Sequence, residues 1–374
     1  MNIDPSNKRL FPNFQPFSPV DPRFFVNRNE EKDLAWRALF RDKVNLLVTG
    51  PFGIGKSSFL RKIEHNIKEQ PDLRVFPVQL NMISYAFHEH SFDKFLNDLI
   101  KQLCASIVTI IFKMDYSEFL EDLYKTPDLG QQLDKRKKTL FRISRFIKSE
   151  GYDTSYTSQR QAGVNSILIG KATDSNNISF QVGNITNFEF LMFIDELKQI
   201  LKDENYDTIL FLCDEANKLS EEVNIEIIQK YFEIFASKNI QFIFVTVPDA
   251  DNKIPEISDA FGCQIRIGNF QSSDSVEELV HLVLDDFRQK GGESILIEKE
   301  CFDEIHEICN GQPWWIQRLC RRIFESAIEE NRSKIDKKFV INCGLKVFKE
   351  MALEKNEENK RLRLNKKVMK NSGA

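Results

Sequence analysis

The chain has 374 residues, 41% hydrophobic and 29% charged, with a formal net charge of −4. That length exceeds the roughly 250–300 residues at which a single hydrophobic core stops growing, so at least two packed units are expected. The composition excludes bulk disorder, and no apolar run approaches the roughly 20 residues of a membrane-spanning helix.

Residues 1–24 carry Pro12, Pro16, Pro19 and Pro22, a density that opposes regular structure. They read as an extended arm, with Phe11, Phe14 and Phe17 docking on the body or on a partner. Nothing in them resembles a secretory leader. Val44 to Thr49 is a short buried strand, followed by a Gly-rich turn and a helical run from Ser57 to Glu69. Arg74 to Leu80 is a second strand, and Pro77 within it calls for an edge position or a bulge. An amphipathic helix follows from Phe92 to Phe112.

Residues 114–186 change character and read as an insertion. A basic helix from about Asp134 to Glu150 precedes a polar stretch and a hairpin with strands at 166–170 and 178–183. Then come helix Phe188–Lys202, strand Thr208–Cys213, helix Glu221–Ser237, strand Ile240–Val247 and strand Cys263–Phe270. Strands alternating with helices imply a parallel α/β sheet. Beyond Ser272 only helices are expected, over Ser275–Gln289, Glu298–Cys309, Pro313–Glu330 and Lys337–Glu354. The expected division is an arm (1–24), an α/β core (25–270), a helical domain (271–354) and a basic tail (355–374).

Two segments carry chemistry. Gly50-Pro51-Phe52-Gly53-Ile54-Gly55-Lys56-Ser57 follows a strand and opens a helix, with Ser58 next in line. Its glycines let backbone amides curl around phosphate oxygens, and the helix that follows points its positive end at the anion. Lys56 is expected to bridge the outer phosphates and the Ser57 hydroxyl to ligate Mg²⁺. The second segment is the apolar strand that ends in Asp214-Glu215. Asp214 is expected in the Mg²⁺ shell, and Glu215 as the base that polarises an attacking water. Thr246 ends another strand and would face the γ-phosphate or that water if its strand lay between the other two; a plain strand residue is the alternative.

Seven cysteines without a CxxC pair read as reduced, packed cytosolic thiols. His88-Glu89-His90 is the one histidine cluster and lacks a third ligand for a metal.

With these motifs in place, the chain resembles STAND and origin-recognition-type AAA+ ATPases. Phe25-Val26-Asn27-Arg28-Asn29-Glu30-Glu31 is similar to their F-x-G-R-x-x-E lead-in segment, with Asn27 in place of Gly. Gly311-Gln312-Pro313 is similar to the GxP motif of the STAND helical lid. The resemblance implies a P-loop NTPase of the ASCE class: an AAA+-like parallel sheet with a C-terminal all-helical lid closing over nucleotide. It also implies that Val26, Arg28 and Pro313 flank the adenine. Trp314 and Trp315 pack on the base, on the arm or in the core. No arginine stands between Pro255 and Gly262, where many AAA+ proteins keep a trans-acting finger.

The expected function is Mg²⁺-dependent ATP binding and hydrolysis by a cytoplasmic regulatory switch. With no winged-helix, repeat or effector module, it would act on a separately encoded protein partner, in a prokaryotic setting; self-association is a further expectation. The alternative is a DNA-acting AAA+ loader. Lys137, Lys138, Arg142 and Arg145 on the basic helix, or the cationic tail, would then contact phosphates. A solvated tail and a packed surface helix are the bland readings of those segments.

Overall fold

Short runs of β-branched and aromatic residues alternate with amphipathic helices along the chain. In the computed structural model, which describes residues 21–82, 92–125, 134–148, 187–216, 231–247, 261–289 and 295–350, they form a five-stranded sheet. The strands are β1 (Leu46–Thr49), β2 (Val75–Asn81), β3 (Thr208–Asp214), β4 (Ile240–Thr246) and β5 (Cys263–Arg266). Their order is β2-β3-β4-β1-β5, with β4 between β3 and β1. The chain clusters into two compact units, one up to Leu73 and again from Ile243 onwards, the other Arg74–Phe242, so β4 is shared between them.

In the first unit, β1 pairs in parallel with β4 and β5, and all four β1 residues are buried. Helix α1 (Asn29–Trp36) runs into a π-helical turn at Arg37–Arg41, and α2 (Lys56–Lys68) leaves the turn after β1. The helices α8 (Asp274–Gln289), α9 (Glu300–Cys309), α10 (Pro313–Glu329) and α11 (residues 337–350) follow. Val280, Ile305, Cys320, Ile323 and Val340 form the buried centre of one cluster, which Phe24, Val26 and Phe270 join. These helices therefore have a core of their own, reached by the lead-in segment.

Three expectations are corrected in this unit. Pro22–Phe24 is a 3₁₀ turn rather than extended chain, because Asp21 caps it and Phe24 is drawn into the helical cluster. Strand β5 stops at Arg266 instead of Phe270: Ile267 makes the last sheet bond, to the Thr49 carbonyl, and Phe270 turns to the helices. The region past Ser272 is not purely helical. Leu296–Ile297 (β6) pairs in parallel with Lys334–Ile335 (β7), tying the starts of α9 and α11 together.

In the second unit, β2 and β3 pair in parallel from Val75–Thr208 to Asn81–Asp214. Strand β2 is at the sheet edge, as Pro77 demands. Helix α3 (Phe92–Ile110) packs on β2, on α4 (Tyr116–Lys125), on the basic helix α5 (Lys135–Lys148) and on α6 (Asn187–Asp203). Leu140 and Ile143 of α5 are fully buried. Of the helix expected at 221–237, Phe232–Ser237 (α7) is described. The hairpin at 166–183, Phe11, Phe14, Phe17, the histidine cluster and the cationic tail lie outside the described residues.

Candidate nucleotide-binding site

Strand β1 delivers the chain into a loop whose residues are held from two directions. Gly55 takes φ +99° and stands at the N-cap of α2, so the first amides of that helix face into the loop. The Lys56 ammonium donates to the carbonyls of Gly50 and Pro51, both at 2.9 Å, and is buried at the loop's centre. Ser57 is half-buried beside it, Ser58 is buried, and Pro51 and Phe52 are exposed. This arrangement of left-handed glycine, helix N-terminus and confined ammonium fits a polyphosphate.

The helical part of the same unit touches the loop directly. The Trp314 amide donates to the Gly53 carbonyl at 3.1 Å, and Gln312 Nε2 donates to the Phe52 carbonyl at 3.0 Å. Gly53 has φ +75°, and a Cβ there would stand 2.8 Å from Trp314 Cβ. Only glycine allows the helix start and the loop to approach this closely. Pro313 occupies the first turn of α10, where its missing N–H costs nothing.

Beside the loop lies a cavity of about 30 Å³, room for a water or two. Val26, Arg28, Ile54, Gly55, Ser58 and Pro313 are among its walls, so residues picked from three distant stretches of sequence converge there. Arg28 lines it, and both Arg28 and its neighbour Asn27 are in left-handed conformation, φ 67° and 58°. That explains Asn27 where the resembled families carry Gly, since Asn tolerates this region best among side chains. Its amide also donates to Ser275 Oγ at 2.7 Å, fixing the lead-in segment to α8. The Arg28 guanidinium donates to the Gly268 carbonyl and to Glu31 Oε1, and lies over the Phe270 ring. Burial pulls its pKa below the ordinary arginine value, with Glu31 pulling the other way. With those donors committed to protein, Arg28 shapes the cavity wall.

Thr246 is buried at the end of β4, opposite Thr49, and its hydroxyl donates to the Val247 carbonyl at 3.3 Å. In the second unit, Asp214 ends β3 opposite Asn81. The Glu215 amide donates to Asp214 Oδ1 at 3.0 Å, and Glu215 takes φ 59°. A left-handed glutamate is strained, and such residues cluster at functional sites. Among the described residues no group of histidine, cysteine and acidic side chains is placed to hold a metal by itself.

The basic helix spends much of its charge inside the second unit. Arg142 pairs with Glu196, and Arg136 bonds Asp134 and Glu204. Lys137 lies over the Phe112 ring, while Lys138 is exposed. The side chain of Arg145 lies outside the described residues.

Two contributors escaped the sequence reading. Gln312 sits inside the GxP triplet, and Gln317 lines the cavity one turn beyond Pro313. The i, i+4 spacing from Pro313 was the available signal for the latter.

Sheet, loop and helix define an α/β P-loop NTPase fold with a C-terminal helical region. The sequence matches the KAP family P-loop domain over residues 36–254, more than half of the chain. The chain belongs to the KAP family. No curated protein matches it. Among solved structures, the Aeropyrum pernix ORC2 protein in ADPNP–ADP complexes is similar at 16% identity and TM-score 0.48, covering 90% of this chain and 71% of that one. The Aeropyrum pernix ORC1 protein in complex with DNA is similar at 10% identity and TM-score 0.47, with 90% and 70% covered. The Thermotoga maritima RuvB Holliday junction branch migration motor is similar at 13% identity and TM-score 0.40, with 86% and 69% covered. No helix among the described residues is long and apolar enough to cross a membrane.

Proposed function

We propose that this chain binds ATP with Mg²⁺, hydrolyses it, and uses the nucleotide state to set its helical domain against a separate protein partner. The observation that carries the reading is the pair of hydrogen bonds from Gln312 and Trp314 to the loop carbonyls of residues 52 and 53. A phosphate bound by the loop amides reorients the same peptide units that the helical domain holds, so occupancy is felt at α10.

In this reading the loop amides and Lys56 bind and orient the phosphates, and Val26, Arg28 and Pro313 bound the base. Ser57 and Asp214 hold the Mg²⁺, which supplies charge neutralisation on the phosphates. Glu215 takes the proton of the attacking water as its oxygen bonds the γ-phosphorus and the bond to ADP breaks. Thr246 orients that water. The STAND-like lead-in and GxP segments support the switch over a motor. The internal pairing of Arg142 and Arg136 leaves the DNA-acting reading with less free charge, so it becomes an outcome of the test rather than a second proposal.

The test is Mg²⁺-dependent ATP turnover of the full chain, with and without duplex DNA, alongside Lys56→Ala and Glu215→Gln. Lys56→Ala is expected to lose tight ATP binding, and Glu215→Gln to keep binding and lose turnover. Unchanged affinity in the first sinks the phosphate-loop reading, and unchanged turnover in the second removes Glu215 as the base. Turnover raised several-fold by DNA favours the loader over the switch.

A further inference from the structure

Helix α11 buries one face in the helical cluster and leaves another uncovered among the described residues. Ile341, Leu345 and Phe348 are 37%, 55% and 48% exposed, and their i, i+4, i+7 spacing stacks them in one stripe. At about 100° per residue, Lys338, Lys346 and Lys349 flank that stripe on one side, and Gly344 and Val347 on the other. None of these three lysines pairs with an acid among the described residues, whereas Lys337 is matched by Glu304 and Glu350 by Arg322. On the Gly344 side, a cavity of about 150 Å³ lies between α9, α10 and α11. That is about the room a benzene-sized group takes in an apolar protein interior. Trp315, Leu319, Val347 and Phe348 are among its walls. Glycine weakens a helix interior, and here Gly344 leaves the cavity unfilled. Gln312 is in the same wall, and its amide is the one that donates to the Phe52 carbonyl of the phosphate loop.

We propose that this surface is the dock for the partner protein and that it takes an acidic amphipathic helix. An exposed apolar stripe beside a cavity is what a helix-in-groove partner covers. One aromatic or leucine side chain of the partner fills the cavity, and its carboxylates meet the three lysines. Charge decides the occupant. Residues 360–374 hold six basic residues and no acid, so this segment would bring like charge to the lysines. Residues 1–20 offer a single acid, Asp4, against Lys8 and Arg9. The dock stands on its own geometry; its link to nucleotide through Gln312 rests on the reading above.

The experiment titrates the full chain with a fluorescein-labelled helical peptide that has leucine and phenylalanine along one face and glutamates along the other. A control peptide has lysines in place of the glutamates. The parent is expected to favour the acidic peptide by roughly tenfold or more. Leu345→Ser removes an apolar anchor and is expected to weaken that binding about tenfold, with urea unfolding unchanged because Leu345 is exposed. Gly344→Met fills the cavity without touching the stripe and is expected to weaken it likewise. Lys338→Gln, Lys346→Gln and Lys349→Gln together are expected to erase the preference between the peptides. A parent that binds neither peptide, or both alike, overturns the proposal, as does parental affinity in Leu345→Ser. Binding to phosphatidylserine vesicles in place of the peptide assigns the face to a membrane, and a dimer that Leu345→Ser dissociates assigns it to a second copy; either result overturns the acidic partner. Mg²⁺-ATP is expected to shift peptide affinity about fivefold or more in the parent, and not in Gln312→Leu. A parent that binds ATP without that shift overturns the link through Gln312. A parent that binds the peptide but no ATP overturns the nucleotide reading and upholds the dock.

Discussion

Replacing Gly311 by alanine tests how the helical region is fastened to the strand that enters it. Gly311 has φ +64°, and an added Cβ would sit 2.3 Å from the Phe270 carbonyl oxygen and 3.0 Å from His306 Nε2. The left-handed backbone costs an alanine about 1–2 kcal/mol. The Phe270 peptide must also move, and it is held by two bonds: its amide donates to the Gly311 carbonyl at 2.8 Å, and its carbonyl accepts from His306 Nε2 at 2.9 Å. Weakening both adds a loss of about 1 kcal/mol each. The expected destabilisation is therefore roughly 3–4 kcal/mol. Urea unfolding read by tryptophan fluorescence measures it, because Trp315 packs against the helical cluster. Gly311→Asn separates the two contributions: asparagine tolerates the left-handed backbone but not the contact, so it recovers only about 1 kcal/mol. A Gly311→Ala protein within about 0.5 kcal/mol of the parent, the range of an ordinary surface change, would refute the reasoning.

Neutralising Lys137, Lys138, Arg142 and Arg145 together is expected to leave duplex-DNA affinity unchanged in a fluorescence-anisotropy titration; a clear loss would revive the loader reading. Arg142→Ala alone is expected to lower stability by about 1 kcal/mol, through the lost partner of half-exposed Glu196 and the lost packing of its stem. Unchanged urea unfolding would show the pair to be idle. Thiol labelling at pH 8 is expected to modify Cys263 before the other six cysteines, which are buried. Burial pushes the thiols of Cys104 and Cys309 up to about 12, so almost no reactive thiolate forms there in the folded chain. Cys263 is raised by partial burial too, so its labelling should quicken as pH rises; uniform labelling of all seven would contradict the packing.

The loop and the strand that feeds it were legible because their chemistry is local. VNLLVT followed by glycines and Lys56-Ser57 specifies a buried strand, a turn and a helix start within a few residues. The place of Pro77 at a sheet edge was equally readable, since a missing N–H leaves few positions open. What stayed hidden depends on distant partners. Nothing near Phe270 says that it abandons the sheet, because the cluster that draws it in is assembled from residues as far apart as Phe24 and Val347. The β6–β7 pairing joins residues almost forty apart through two-residue strands too short to leave a pattern. Gln317 reads as one more polar residue on a helix until the cavity beside it is seen. The basic helix misled for a related reason: its charge is evident in sequence, but Glu196 and Glu204, which answer it, lie more than fifty residues away.

Pro77 has a consequence for how these molecules meet one another. Val75-Phe76-Pro77-Val78-Gln79-Leu80 is uncharged and strongly strand-forming, and it is the edge strand of the five-stranded sheet. Without the proline, such a hexamer is a template on which a strand from a second molecule could add and propagate towards fibrils. The imino acid removes one donor from that template and interrupts the ladder a newcomer would need. A proline at this place thus works against edge-to-edge strand pairing, a matter of association rather than of the phosphate loop.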